Sequence, residues 1–472
     1  MSADRHPLGI IKNLGEKTIR GLDEKISGDL ILPDNEQYHD ARDVWNGLIN
    51  RYPAVIVRAL DSDDVAAAIN FVREQNLTLS IRGGAHHQAG EAIVDNGVVI
   101  DLAAFDHIDI DAEKQIANIG PGTQTKEVIE ATQAHGLATP TGSAGCVGMG
   151  GTTLGGGIGW LRRKHGLSID SLRSMEVVTA DGTVHTASEN QNADLFWALR
   201  GGGGQFGIVT NFEFELYDVG PLIGGLITFY PADAARTVLE TYSEFTEPEA
   251  MSSIVNYGEI PAVPPIPESQ QGEPAIGIIG CYAGNPETAM DAFAPLREIT
   301  EPLIDATEPM AYTALHEIGT LMHPWGRKYI NRSVFVDELT EQILELVITQ
   351  TDTAPGEMDG VGIWSMGGAI DDDSETAYAW RDKSYLILIE AAWEDHDNPA
   401  HIEWAHETEQ RFREAGAEGA YAGYAGVEEG EWEQWERKIF DDNHDRLRTL
   451  KTRYDPAGIF DHGLSVTPAT EQ

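Results

Sequence analysis

Apolar residues recur along the chain with two spacings: every second residue in short runs, every third or fourth in longer ones. Residues 54–60 (AVIVRAL) form an apolar run of strand length, and DSDDVAAAINFVREQN after it has its apolar positions at helical spacing, with Ser62 or Asp63 as N-cap. LTLSIRGGAHHQAG reads as an alternating strand running into a glycine turn, and VVIDLAAFDHIDIDAEKQIANIG as two strands around a turn. A helix is expected over 125–135, ahead of a Gly-rich stretch at 142–159. MEVVTADGTVHTAS is a hairpin with Asp181-Gly182 at its bend, and DLFWALRGGGGQFGIVTNFEFEL is a short helix, a four-glycine turn and a long alternating strand. After about residue 217 the texture changes. LIGGLITFYP and AIGIIGCYAG read as strands, the acidic segments 286–300, 335–352 and 400–415 as helices, and 261–274 as a Pro-rich surface loop. ILILIEAAW is a strand that puts Glu390 on one face with Leu386 and Leu388. This pattern suits a mixed α+β second domain covering a sheet face.

Composition narrows the function. An apolar share of 41% with 10 Trp, 14 Tyr and 13 Phe is globular, and 472 residues make one large domain or two to three ordinary ones. Acidic residues number 77 against 32 basic ones, a net charge of −45 that excludes nucleic acid as a partner. So large an excess, spread along the whole chain, is expected of a protein from a halophile, where molar salt shortens the Debye length to about 3 Å and screens self-repulsion. The apolar runs are too short to span a membrane and the N-terminus lacks a secretory apolar stretch, so a cytoplasmic protein with no membrane partner is expected. Cys146 and Cys281 cannot make a disulfide framework or a Cys-rich zinc site. His316-Glu317 followed by His323 lacks the zinc-protease spacing, and no metal site is expected. Residues 371–373 and Glu428-Glu429 read as solvated acidic faces.

Glycines gather at Gly83-Gly84, at 148–159 and at 201–204, each at the end of a strand or helix signal. Backbone N–H groups in such loops cradle a pyrophosphate without Lys or Arg side chains. Gly202, Gly204 and Gly207 satisfy the G-x-G-x-x-G spacing, but a helical segment precedes them and a β-rich run follows. That context is the inverse of the one a Rossmann turn requires, so the NAD-type reading fails.

IRGGAHHQAG, GMGGTTLGGGIGWLRRKHGLSID and DLFWALRGGGGQFGIVT, in that order, with RLRTLKTRYDPAGIF near the C-terminus, resemble the FAD-linked oxidases of the berberine bridge enzyme-like group. These belong to the vanillyl-alcohol oxidase, or PCMH-type FAD-binding, fold family. The resemblance implies a two-domain α+β fold, with 1–217 plus 425–472 binding FAD and 218–424 placing a sheet over the flavin. It implies hydride transfer from a small-molecule alcohol, sugar or amine to FAD, with O2 as acceptor and H2O2 as product. The alternatives are a flavin dehydrogenase of the same fold using another acceptor, and a catalytically idle flavin-binding protein.

The resemblance also assigns residues. Arg82-Gly83-Gly84-Ala85-His86 stands at the motif whose histidine bonds covalently to the flavin 8α-methyl, with Ala85 replacing the usual second glycine and His87 standing where Asn is common. Cofactor contacts are expected from Arg82, Gly83, Gly84, Ala85, His86, His87 and Gly90. They are also expected from Gly142, Val147, Gly148, Gly150, Gly151, Thr152, Gly155, Gly156, Gly157 and Gly159, and from Gly207, Ile208 and Val209. Some members carry a second, cysteinyl link; the matching position here is Ala144, and Cys146 reads as a small buried loop residue, so a single link is expected. Val147 stands where a small side chain marks oxidases and Leu marks dehydrogenases, although a Val can merely fill a loop core. Tyr424 in AYAGY resembles the second Tyr of a Y-x-N-Y strand that faces the flavin and helps deprotonate substrate. A tyrosine is a base only where positive charge or hydrogen bonds lower its pKa, and a Tyr pair at this spacing can equally be packing. Glu390 is the other candidate base, unless it sits at a surface position. Asp170 reads as structural, His165 as a loop or surface residue, and FDHGLSVTP departs from the family's flavin-contacting tail.

Overall fold

The computed structural model describes residues 7–371, 374–394, 398–426 and 432–469. Asp372, Asp373, Glu428 and Glu429 lie outside them. The first half builds two sheets. Strands Asp29–Ile31, Val55–Arg58, Val98–Asp101 and Leu79–Arg82 lie side by side in that order, the last three mutually parallel. Strands Ile108–Asp111, Ile116–Ile119, Ile208–Glu215, Leu172–Val178 and Val184–Ser188 form an antiparallel sheet. The segment 98–120 thus holds three strands rather than two, the first joining one sheet and the other two forming a hairpin in the next. The helix after Val55–Arg58 runs Ser62–Gln75 and is capped by Asp61, whose carboxylate accepts from the Asp64 N–H, instead of by Ser62 or Asp63. Asp64 itself is buried and accepts from the N–H groups of Ser27, Gly28 and Leu60, tying the entry of the sheet to the helix.

The second half is dominated by one antiparallel sheet. Its main strands lie in the order Leu222–Pro231, Pro274–Tyr282, Met251–Glu259, Gly360–Ser365, Tyr385–Trp393 and Lys328–Val336, the last at the edge. Period-two alternation gives it two different faces. Ile387, Ile389, Ala391 and Trp393 pack with Val238, Phe293, Val347 and Phe412 of four covering helices. Leu386 and Leu388, on the other face, join Ile254, Trp364, Trp160 and Phe212 in a core shared with the first half. The acidic helix expected at 335–352 begins only at Glu341, because Val334, Phe335 and Val336 are claimed by the sheet; Thr340 caps it. The Pro-rich 261–274 segment is not purely surface, since Val263 and Ile266 insert into the core. Helix His444–Tyr454 returns to pack Leu447 and Leu450 with Leu195 and Trp197. No helix among the described residues is long and apolar enough to cross a membrane.

Candidate active site

Two loops cross at the end of the parallel sheet. A Cβ added to Gly84 would lie 2.5 Å from the Gly148 Cα, and one on Gly148 would lie 2.5 Å from the Gly84 nitrogen, so neither position admits a side chain. This crossing brings His86 beside Val147. Ala85, between Gly84 and His86 in the chain, has φ 52°, a left-handed conformation costing about 1–2 kcal/mol for a residue with a Cβ. The strain accounts for the glycine that the related motif carries there.

Beyond the crossing runs a groove of ≈ 330 Å³. Gly83, Gly84, Ala85, His86 and His87 form one wall, and Gly142, Val147, Gly148, Gly150, Gly151, Thr152 and Gly155 the second. Gly203, Gly204, Gln205, Gly207, Ile208 and Val209 form the third, and His462 and Leu464 of the C-terminal segment close it. Arg82, Gly90, Gly156, Gly157 and Gly159 do not line it. The Arg82 guanidinium faces Asp101 and the Asp43 carbonyl. The four glycines admit Ile49, Tyr378, Ser168 and the Thr141 carbonyl, respectively, at distances no Cβ would tolerate or would strain.

Beside the groove opens a larger cavity of ≈ 450 Å³ under the sheet of the second half. His86, Val147 and Tyr424 line both spaces and mark their junction. The His86 ring stacks on Trp45 at 4.4 Å, which stacks in turn on Tyr329 at 3.9 Å. Its Nε2 lies 3.2 Å from the Cys146 Sγ. Burial, with His323 nearby, holds the imidazole down to about 3, so it is neutral at ordinary pH with one ring nitrogen unprotonated. His87 lines only the groove, its Nε2 3.2 Å from the Ala422 carbonyl.

Glu390 enters the larger cavity from strand Tyr385–Trp393 and meets His323 Nε2 at 3.3 Å. The His323 Nδ1 lies 2.8 Å from the Gly319 carbonyl, which assigns the proton to that nitrogen when the ring is neutral. Burial alone would lower the His323 imidazole, but Glu390 outweighs it and holds the pKa above 6.5. Burial likewise would raise the Glu390 carboxyl, and His323 outweighs it and holds it below 4.5. Tyr424 has only Arg162 to lower it, and Arg162 is outweighed. Burial first, then Tyr421 and Glu390, push its hydroxyl far above the usual phenol range. Nor does it stand on a strand: the chain is extended at Tyr421 and then forms a 3₁₀ turn over Ala422–Tyr424, with the two tyrosine rings edge to face at 5.5 Å.

Sequence reasoning missed Trp45, His323 and Asn331, all of which line the cavity. Among the described residues no metal-binding cluster occurs. Asp170 is structural, bonding the Leu167 N–H and Arg381. His165 is not a surface residue; it ends helix Arg162–His165, stacked on Tyr217 at 4.1 Å.

Comparison with known proteins matches an FAD-binding domain over residues 53–188 and a berberine and berberine-like segment over 420–467. The chain thus carries an FAD-binding domain and a berberine-like segment in the order expected of FAD-linked oxidoreductases. The FAD-linked oxidoreductase YgaK of Bacillus subtilis is 29% identical over 466 residues, covering 94% of this chain and 98% of its own. The (R)-6-hydroxynicotine oxidase of Paenarthrobacter nicotinovorans is 26% identical over 458 residues, covering 94% and 97%. Among solved structures, xylooligosaccharide oxidase from Myceliophthora thermophila superposes with a TM-score of 0.84 at 21% identity, over 97% of this chain and 99% of that one. The α+β PCMH-type FAD-binding fold is thereby established.

The groove residues of this flavoprotein fit FAD. Added Cβ atoms on Gly151 and Gly203 would meet nothing within 4 Å, so these glycines face open space that side chains would invade. No Lys or Arg lines the groove among the described residues. A pyrophosphate would then be held by backbone N–H groups and neutral side chains such as Ser143 and Thr152, without a cationic side chain.

Proposed function

We propose that the chain is an oxidase of small-molecule alcohols, sugars or amines, with FAD held covalently by His86 and dioxygen as the acceptor, giving hydrogen peroxide. In this reading 1–217 plus 425–472 form the FAD-binding part and 218–424 the substrate part. The observation that carries it is the junction, where His86, Val147 and Tyr424 line both the glycine-walled groove and the cavity under the sheet. Bound FAD supplies the two-electron acceptor that no side chain of this site provides.

The chain's own residues do the rest. The glycine walls hold the dinucleotide, and His86, neutral and fixed by Trp45, presents a ring nitrogen for attachment. Glu390 takes the proton of the substrate hydroxyl or amine, being ionised at ordinary pH where Tyr424 is not. Tyr424 then acts as a wall and hydrogen-bond donor. In this assignment Tyr424→Phe slows substrate oxidation less than Glu390→Gln does.

Acid precipitation tests the attachment: the pellet stays yellow, and His86→Ala releases the colour to the supernatant from a folded protein. Free flavin from the unaltered protein overturns the covalent link. The acceptor is tested at Val147, where one further methylene fills space at the junction. Val147→Leu slows reoxidation of the reduced protein in air at least tenfold while leaving its reduction within about threefold. Wild-type protein that stays reduced for minutes in air-saturated brine is a dehydrogenase instead.

A further inference from the structure

The larger cavity combines an unpaired acceptor, an excess of carboxylates and an apolar body, and this combination selects among the substrate classes left open above. Asn331 stands on strand Lys328–Val336, only 4% exposed and directly opposite Glu390 in the register. Opposed residues leave the same face of a sheet, and both line the cavity. The backbone of Asn331 is committed to Gln88, its N–H to Oε1 at 2.5 Å and its carbonyl to Nε2 at 2.9 Å. Its side-chain Oδ1 is buried without a hydrogen-bond partner. Buried acceptors are rarely left so unless something else completes them.

Carboxylates outnumber cations around this acceptor. Glu259 and Glu357 line the same cavity, and burial together with the Glu357 charge raises the Glu259 carboxyl. Asp359 also lines it, though its carboxylate is taken by His401 at 2.7 Å. Of the cationic residues that line it, Arg327 reaches Glu394 at 2.9 Å and His323 is paired with Glu390. Much of the remaining wall is apolar, with Ile254, Ile260, Leu388 and Met322 in it, while Ser143, Asn256 and Tyr257 add polar groups. A carboxylic acid would meet like charge here, whereas a protonated amine brings opposite charge and N–H donors to these acceptors.

We infer that the substrate is a protonated amine on a compact apolar body, that its N–H groups are given to the Asn331 Oδ1 and the Glu390 carboxylate, and that Asn331 sets this specificity. The inference rests on the reading of this cavity as the substrate site of the flavoenzyme. Binding is measured by equilibrium dialysis of the holoprotein under nitrogen at one fixed salt concentration, with the flavin reduced beforehand so that no probe is consumed. The probes are 2-phenylethylammonium, 2-phenylethanol and 3-phenylpropionate. The ammonium binds at least tenfold more tightly than the alcohol, and the carboxylate more weakly than either. Asn331→Leu lowers the ammonium affinity about tenfold and leaves that of the alcohol within twofold. Should the leucine variant fail to fold, Asn331→Asp keeps the size and adds charge, and tightens the ammonium. A yellow protein that prefers the alcohol or the carboxylate, or binds none of the three, overturns this inference alone. So does a folded Asn331→Leu protein with unchanged ammonium affinity, or an Asn331→Asp protein that binds it more weakly. A colourless protein defeats the flavoenzyme reading, whatever the probes do.

Discussion

His323 and Glu390 titrate against each other, and the sign of each shift fixes what pH does to the site. The imidazole is raised, so its share of the pair's stabilisation is full below 6.5 and is lost as pH rises through the higher folded pKa. The carboxyl is lowered, so its share is present above 4.5 and is lost as pH falls through the lower folded pKa. The pair is therefore strongest between about 4.5 and 6.5. Substrate oxidation needs Glu390 ionised, and in the intact pair it remains so into acid. In His323→Asn only burial and the more distant Arg327 act on Glu390, burial being the larger, and the carboxyl rises. The acid limb of the pH profile for anaerobic flavin reduction accordingly moves to higher pH in His323→Asn, and Glu390→Gln slows reduction by about 10²–10⁴ on the plateau above the limb, the deficit shrinking as pH falls through it. An acid limb that stays in place shows that another group is the base. Glu390 was legible in the sequence because strand alternation alone sets an acid on an apolar face. His323 was not. It lies 67 residues from its partner, after a helix, and only the packing of that helix against the sheet brings the imidazole to the carboxylate.

The elements legible in the sequence are those whose periodicity is long or whose turn chemistry is unambiguous, such as helix Ser62–Gln75 and the hairpin bent at Asp181-Gly182. Strands Val98–Asp101, Ile108–Asp111 and Ile116–Ile119 were harder to separate. Each is four residues long, and the partner sheet of each is fixed by distant strands, Val55–Arg58 in one case and Ile208–Glu215 in another. The C-terminal helix His444–Tyr454 shows how one element serves the groove. Lys451 is 1% exposed, and its Nζ donates to Asp455 at 2.7 Å and to the carbonyls of Gln205 and Phe460, each at 2.8 Å. Asp455 accepts in turn from the N–H groups of Ile459 and Phe460, while Gln205 accepts from that of Val466. The tail carrying His462 and Leu464 is thus fastened to the groove wall by one buried cation. Lys451→Met leaves Asp455 charged without its partner, and the loss is about 3–5 kcal/mol. Urea unfolding at fixed salt reads it as a lower midpoint with an unchanged slope. A shift worth less than about 1 kcal/mol shows that Asp455 is adequately held by backbone N–H groups alone.

A net charge of −45 on one chain is a property of the whole molecule, and no single ion pair answers it. Exposed pairs such as Lys114–Asp111 contribute little individually, because water and salt screen them. The fold must instead tolerate many uncompensated carboxylates within about 10 Å of one another, the Debye length at 0.1 M, and that repulsion relaxes only as the length falls to about 3 Å near 1 M. The covering helices of the second half carry much of this load: Pro399–Glu414 presents Glu403, Glu407 and Glu414 beside the buried Glu409. We therefore propose that the protein is adapted to molar salt. Dialysis below roughly 0.5 M salt, a threshold set by that screening length, removes helical circular dichroism and activity together. Sucrose separates the causes. It strengthens apolar burial without screening charge, so if repulsion is what unfolds the chain, sucrose at low ionic strength restores far less structure than sodium chloride does. Full restoration by sucrose instead locates the weakness in the apolar core, and unchanged dichroism and activity in dilute buffer without either additive shows that the carboxylates are carried at no cost to the fold.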